Sequence, residues 1–376
     1  MDGNQNRITR GQFLFMILQT QIGVGILSLP YNVHEAAKGD GWISVLMAGL
    51  WVQLMIVIMW SLNRRFPSLT LYDILPHLIG KWPAKILISA YIFSFIVIII
   101  IVLVLFAGII QGWMMTETPR WVITGFMAAT AAYLTISPLK LIGRFYTFVS
   151  GLSGLIILIA ILAYFDPFTE INVHYIYPLG QIAGPINLLK GANESTFALT
   201  GFEIMMVLYP FAEGSASDKL KAASLANLIT TLVYIFMTVT ALMIFSPVEM
   251  TLIPEPTIYM LKAFRFQLVE RPDLYFISLW IFLAFTSTVS DLFVASLGMA
   301  RLFNQQSHQK WVFWVALIGY VVSLIPKDQF DVESIDKVEQ VLFYILIVGM
   351  PPVLLAISLL RGKKERREGG QTDLSI

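Results

Sequence analysis

The sequence predicts an all-α membrane protein of ten transmembrane helices, built as two oppositely oriented repeats of five. Three observations carry this prediction. Hydrophobic residues make up 57% of the chain and charged residues only 13%, an apolar excess that a soluble domain cannot bury. Apolar runs close to the ~20 residues that a bilayer core requires recur from end to end, without the alternation of barrel strands. Two of these runs, five apart in the series, are interrupted at corresponding places.

The first span, 11–37, contains "QIGVGILSLP", Gln21 to Pro30. Glycine costs roughly 1 kcal/mol in a helix interior and proline about 3, so Gly23, Gly25 and a closing Pro30 mark a break. Arg7 and Arg10 before the run superficially suggest a signal peptide. The run lacks an A-x-A-like cleavage site and carries Gln19 and Gln21, so it reads as a retained helix. Spans 2 to 5 follow at 41–63, 83–113, 119–137 and 143–165. Span 6, 185–212, is interrupted at "LTGFE", Leu199 to Glu203. Spans 7 to 10 lie at 222–245, 273–300, 309–325 and 338–360.

The two halves match in more than the breaks. Spans 3 and 8 are both long. Spans 2 and 7 are each followed by a Pro-marked amphipathic connection, "PSLTLYDILPHLIG" and "PEPTIYMLKAFRFQLVE". The second places Ile258, Leu261, Phe264 or Arg265, and Leu268 near one helical face. Five is an odd number, so two such halves run in opposite senses, as inverted repeats do. The chain reads as one membrane domain: 1–165, the inverted 166–360, and a basic tail at 361–376. The loops that share a side with both termini carry the larger set of cations, among them Arg64, Arg65, Lys81, Lys85, Lys140, Arg144, Lys219 and Arg301. Both termini are therefore expected in the cytoplasm, with "RGKKERR" solvated at the lipid surface.

Several functions are excluded or unsupported. The net charge of +1 gives no case for nucleic acid. The absence of cysteine removes disulfides, thiol catalysis and thiolate metal sites. His34, His77, His174 and His308 show no metal spacing and read as interfacial loop residues. No nucleophile–base pair stands out, so neither an enzyme nor a cofactor is implied.

In hydrocarbon an unpaired backbone N–H or C=O costs several kcal/mol. Breaks in spans 1 and 6 that meet near the midplane would expose half-helix ends with opposite partial charges. Such a site suits a small zwitterion, its carboxylate toward N–H groups near Gly25 and its ammonium toward carbonyls near Ile22 and Leu199. The alternative is that Gly23 and Gly25 only allow close helix packing.

"QIGVGILSLP" together with "ALTGFEIMMVLYPF" of span 6 resembles the endospore germination permease family, the B subunits of spore nutrient germinant receptors, within the amino acid–polyamine–organocation superfamily. The resemblance implies a LeuT-type inverted repeat with spans 1 and 6 broken. It also implies residence in the spore inner membrane beside A and lipoprotein C subunits, and a role in sensing a small nutrient, such as an amino acid, to trigger germination. Carried onto this chain, the ligand region is Ile22, Gly23, Gly25, Leu199, Thr200 and Gly201. By fold analogy, Val97 and Ile101 of span 3 and Ser287 of span 8 complete it. The alternative function is a secondary transporter of amino acids or polyamines coupled to Na+ or H+.

Polar residues inside the spans are candidates for ion or proton binding. Span 8 carries "FTSTVSDLF", in which Ser287 shares a face with Ser290 or with Asp291. In sodium-coupled relatives such hydroxyls join span 1 carbonyls around the ion; the alternative is bonding back to their own helix or to span 1. Span 5 lacks the lysine that replaces sodium in some proton-coupled relatives, which leaves a cation site open. Glu203 titrates, gates, or anchors the N-terminus of the inner half of span 6. Asp291 is a candidate partner for an Arg or Lys. Lys190 and Glu194 sit one turn apart at the outer mouth. Val97 and Ile101, with Phe197 and Phe202, supply an apolar wall for a small aliphatic side chain, or else face lipid.

Overall fold

Capping boxes among the described residues fix where several helices begin. Thr9 with Gln12, Thr70 with Asp73, Ser215 with Asp218 and Ser246 with Glu249 each exchange side-chain and backbone hydrogen bonds across three residues. The computed structural model describes residues 6–162, 171–177, 182–263, 271–326 and 329–365. Phe264, Arg265, Leu268 and the tail beyond Glu365 lie outside the described residues. Within them the helices are α1 (Arg10–Gln21), α2 (Leu29–Ala37), α3 (Gly41–Asn63), α4 (Leu71–Ile79), α5 (Lys81–Trp113), α6 (Arg120–Thr135), α7 (Leu139–Leu162), α8 (Pro185–Ala198), α9 (Met205–Leu208), α10 (Ala216–Ile244), α11 (Pro247–Met250), α12 (Pro256–Ala263), α13 (Pro272–Leu302), α14 (Gln309–Ser323), α15 (Gln329–Leu342) and α16 (Met350–Leu360). No strand occurs among the described residues; one isolated parallel bridge joins Ile8 to Ala212.

Among the described residues, five helical stretches are long and apolar enough to cross a bilayer: Leu29–Asn63, Lys81–Trp113, Ala216–Ile244, Pro272–Leu302 and Phe330–Leu360. Their outward faces are bare. Leu50 and Trp51 of α3, Ile86 and Phe93 of α5, and Leu228 and Leu232 of α10 are all exposed, as expected for side chains that meet lipid. The chain is therefore a multi-pass membrane protein.

The first apolar stretch is two helices, not one. α1 stops at Gln21, a 3-10 turn covers Val24–Ile26, and α2 starts at Leu29. Pro30 does not close the segment as expected. It occupies the first turn of α2, where a missing N–H removes no helical bond. The last stretch also differs. Its helix begins at Gln329, nine residues ahead of the expected 338, runs through a π-helical segment, Phe343–Gly349, and continues as α16. Charged residues between 331 and 337 read as a connection in the sequence but lie on α15.

α5 and α13 form the scaffold. Phe106 stacks on Trp280 at 5.9 Å, and Tyr72 of α4 donates to the Val294 carbonyl of α13 at 3.1 Å. Small residues admit neighbouring helices on the other side of the molecule. An added Cβ at Gly49 of α3 would lie 2.4 Å from Thr231 of α10, and one at Gly191 of α8 would lie 2.6 Å from Ser44 of α3. Two histidines also depart from the interfacial reading. His34 is buried on α2 and bonds the Pro247 carbonyl at 3.1 Å, while His308, at the start of α14, bonds the Thr135 carbonyl at 3.0 Å.

Gly49→Ala should therefore lower the melting temperature of the detergent-purified protein, since a contact of 2.4 Å forces α3 from α10. Gly151→Ala on α7 meets nothing within 4 Å and should leave the melting temperature unchanged or raise it through helix propensity. Equal melting temperatures for the two variants would contradict the α3–α10 packing.

Candidate functional site

The two helix interruptions touch. Gly201, between α8 and α9, has φ +117°, and a Cβ there would approach the Thr20 carbonyl carbon to 2.6 Å. A Cβ on Gly25 would lie 3.2 Å from the Ala198 carbonyl oxygen, and one on Gly23 would lie 3.0 Å from Ser287 Oγ on α13. Glycine at these positions serves both the change of backbone direction and the close approach. The two readings of Gly23 and Gly25 are thus compatible.

Backbone groups released by the interruptions are taken up by side chains. Tyr234 of α10 donates to the Gln21 carbonyl at 2.8 Å. Gln21 Nε2 donates to the Leu199 carbonyl at 3.2 Å. Thr257 of α12 donates to the Ile26 carbonyl at 2.8 Å. Glu203, buried, accepts the Gly201 N–H at 2.8 Å. Of the three readings of Glu203, the anchoring contact is the one seen. The carboxylate reaches back to a backbone donor at the turn, as acids at helix starts do.

A cavity of about 940 Å3 opens beside this junction. Gly23, Gly25, Thr200, Gly201 and Ser287 line it, with Glu203, Asp291 and Glu339. α5 contributes Ile98, Ile101, Val102 and Leu105. Arg120 at the start of α6, Glu255 just before α12 and Lys262 near its end also line the cavity, and burial pushes the Glu255 carboxyl up. Arg120 is tied there by bonds to the Pro326 and Ser323 carbonyls at 2.7 and 3.2 Å.

Three expected ligand residues are elsewhere. Ile22 and Leu199 are buried and do not line the cavity, and the Leu199 carbonyl already accepts from Gln21. The ammonium position expected near Ile22 and Leu199 is therefore replaced by a protein–protein bond on the Leu199 side. Val97 is buried off the cavity, and Ile98 takes its place beside Ile101. Phe197 lines the cavity while Phe202 is fully buried away from it. Glu194 reaches the cavity; Lys190 is exposed outside it, and the two make no ion pair.

The expected cation cluster divides. Ser290 does not line the cavity; its hydroxyl bonds Thr20 Oγ1 at 2.7 Å and the Tyr146 hydroxyl at 2.8 Å, joining α13 to α1 and α7. Tyr146 also donates to the Thr286 carbonyl. Thr286 and Thr288 bond back to their own helix. Asp291, the next residue, lines the cavity instead, because consecutive helical residues point about 100° apart. Asp291 has no cationic partner among the described residues: Arg301, in the last turn of α13, pairs with Asp73 at 3.2 Å. Among the described residues no group of His, Asp or Glu is arranged to hold a metal ion.

The sequence reading missed Gln21 and the acidic face of α15. Glu339 is buried and accepts from Ser94 Oγ of α5 at 2.9 and 3.2 Å. The signal was available, since Val332, Asp336 and Glu339 recur at intervals of four and three, and all three line the cavity.

Residues 7–332 match the model of a family described as spore germination protein. The chain belongs to that family. The resemblance read from "QIGVGILSLP" and "ALTGFEIMMVLYPF" is borne out. Among curated relatives, spore germination protein YndE of Bacillus subtilis (strain 168) is 25% identical over 368 residues, covering 96% of this chain and 99% of its own. Spore germination protein GerQB of Bacillus cereus is 23% identical over 354 residues, covering 94% and 96%. Two solved structures share the fold. MhsT in complex with L-phenylalanine superposes with a TM-score of 0.69 at 16% identity, covering 96% of this chain and 90% of its own. MHP1, a nucleobase-cation-symport-1 family transporter solved closed with bromovinylhydantoin bound, gives 0.72 at 11%, covering 95% and 79%.

Glu203→Gln keeps an acceptor for the Gly201 N–H and should retain the wild-type melting temperature. Glu203→Leu leaves that donor unpaired, at a cost of about 1–3 kcal/mol, and should lower it. Indistinguishable melting temperatures for the two variants would contradict the anchoring role of Glu203.

Proposed function

We propose that this chain is the membrane-embedded B-type subunit of a spore nutrient germinant receptor. It binds a small nutrient, such as an amino acid, where the interruptions of spans 1 and 6 meet. The observation that carries this reading is the cavity floor: glycines from both interruptions and Ser287 of α13 meet there, within a fold shared with MhsT and with the transporter MHP1, both solved with a small molecule bound. The relatives act in spore germination by name, and MhsT holds L-phenylalanine. A site of this kind on this fold is fitted to bind rather than to catalyse, and the reading includes no enzymatic activity.

In this reading the chain is one domain of ten spans in two inverted five-helix repeats, with spans 1 and 6 broken and both termini in the cytoplasm. The cavity then opens away from the cytoplasm, between the connections of spans 3–4, 7–8 and 9–10. Germinant-receptor A and C subunits are its partners in the spore inner membrane. Gly23, Gly25, Ile101, Thr200, Gly201 and Ser287 border the nutrient, and its binding draws the interrupted segments against α5 and α13. Only a ligand that binds one arrangement more tightly shifts the balance toward it. A second reading, an amino acid or polyamine transporter coupled to Na+ or H+, is favoured by the transporter fold. Neighbouring genes for an A subunit and a lipoprotein separate the two.

Ile101→Phe should raise the nutrient concentration needed for germination about 10-fold or more, since one methylene in an apolar pocket is worth about 1–3 kcal/mol. Leu54→Ala, on the exposed face of α3, should not change it. Germination dose–response in strains with matched protein levels is the measurement. An unchanged response in Ile101→Phe would move the site elsewhere.

A further inference from the structure

The stretch that follows α16 folds back onto α4. Gly362 adopts φ +62°, a left-handed turn that suits glycine after a helix end, and the chain then runs beside the end of α3. Arg65, just past α3, donates to Ser358 Oγ at 2.7 Å and to the Ser358 and Lys363 carbonyls at 3.1 Å each. The Glu365 N–H donates to the Arg65 carbonyl at 2.9 Å, and Ser68 meets the Glu365 carboxylate with both its N–H and its hydroxyl. Arg361 donates to the Leu78 carbonyl at 3.0 Å, and Lys363 donates to the His77 carbonyl.

The last two bonds matter because α4 has little stability of its own. It is nine residues long and contains Pro76, too short to stand alone in water and lacking one internal N–H. The closing carbonyls of a helix have no partner within it, and a cation placed there also meets the negative end of the helix dipole. Arg361 and Lys363 supply both. The start of α4 is held by Arg301 of α13, which pairs with Asp73 at 3.2 Å. α4 packs in turn against α9, the helix of span 6 that follows the Gly201 interruption.

The hold of the two cations is open to competition. Both are exposed, and both closely follow Leu360, where a helix long and apolar enough to cross a bilayer ends. Neither makes an ion pair among the described residues. Arg361 reaches the Leu78 carbonyl through Nη1 alone, a charged donor on a neutral acceptor. A lipid phosphate offers full negative charge and accepts from two guanidinium N–H groups at once.

We propose that residues 358–365 form a releasable clasp on α4, and that anionic phospholipid headgroups release it by drawing off Arg361 and Lys363. On release α4 loses the partners of its closing carbonyls, and α9 loses a fixed neighbour. The inner part of span 6 then responds to the charge of the surrounding membrane. The clasp is independent of what the cavity binds.

The test is amide hydrogen exchange on the full chain in nanodiscs of phosphatidylcholine alone and of phosphatidylcholine mixed with phosphatidylglycerol. The amides of α4 and α9 should exchange about 10-fold faster in the mixed lipid, through the pull of an anionic surface on two cations. Those of α5 and α13 should not change. Arg361→Gln combined with Lys363→Gln should exchange at the fast rate in both lipids, at an unchanged melting temperature. Ser68→Ala removes one contact to Glu365 and serves if the double variant does not fold; it should reach the fast rate at a lower share of phosphatidylglycerol. Equal or slower exchange of α4 in the mixed lipid would overturn the release, as would a double variant that still responds to that lipid. Faster exchange in α4 without α9 would overturn the coupling to span 6. Faster exchange throughout the chain would mean a general loss of stability in place of a clasp.

Discussion

A backbone N–H or C=O without a partner is the constraint on which the centre of this protein depends. Two apolar stretches stop being helical inside the molecule, and each stop releases groups that hydrocarbon cannot satisfy. The chain answers with side chains drawn from separate elements. Tyr234 serves the Gln21 carbonyl, Gln21 serves the Leu199 carbonyl, Thr257 serves the Ile26 carbonyl, and Glu203 serves the Gly201 N–H. These bonds tie α10, α12 and the two interruptions into one junction. They also explain why the junction is polar although the chain around it is not.

The junction needs a rigid setting, and α5 and α13 provide it. α13 carries two functions on adjacent residues. Ser290 turns toward Thr20 and Tyr146 and fixes α1 and α7 in place, while Asp291 turns toward the cavity. The same helix thus positions the interruption and presents a carboxylate beside it. The glycines set the remaining distances: at Gly23, Gly25 and Gly201 a side chain would press on α13 or on the facing interruption. Pocket and scaffold are made by the same few contacts, so occupancy of the cavity bears directly on how α1 and α8 lie against the rest.

Much of this was legible in the sequence. Gly-Val-Gly and Thr-Gly-Phe-Glu located both interruptions because helix propensity there is poor. The α3 bounds, Gly41–Asn63, follow from the apolar run alone. What failed was direction. Period and composition place Val97 and Ile101 on one face but do not say where that face looks, and Val97 is buried off the cavity while Ile98 and Ile101 line it. Leu199 was chosen for its freed carbonyl, yet a glutamine 178 residues away satisfies it. Long-range partners of this kind leave no local trace. The charges of α15 misled differently: Asp336 fell in the expected connection and Glu339 at the very start of span 10, although their spacing with Val332 was helical.

The absence of cysteine makes the central claim accessible to a clean measurement. Thr200→Cys places a single thiol on the cavity wall between α8 and α9, and Ile22→Cys places one in the buried interior beside the same junction. A small membrane-impermeant thiol reagent should modify the first and not the second, and nutrient that triggers germination should slow the modification of the first. Equal modification of both, or a Thr200→Cys rate that nutrient leaves unchanged, would contradict the assignment of the ligand to the junction of the two interruptions.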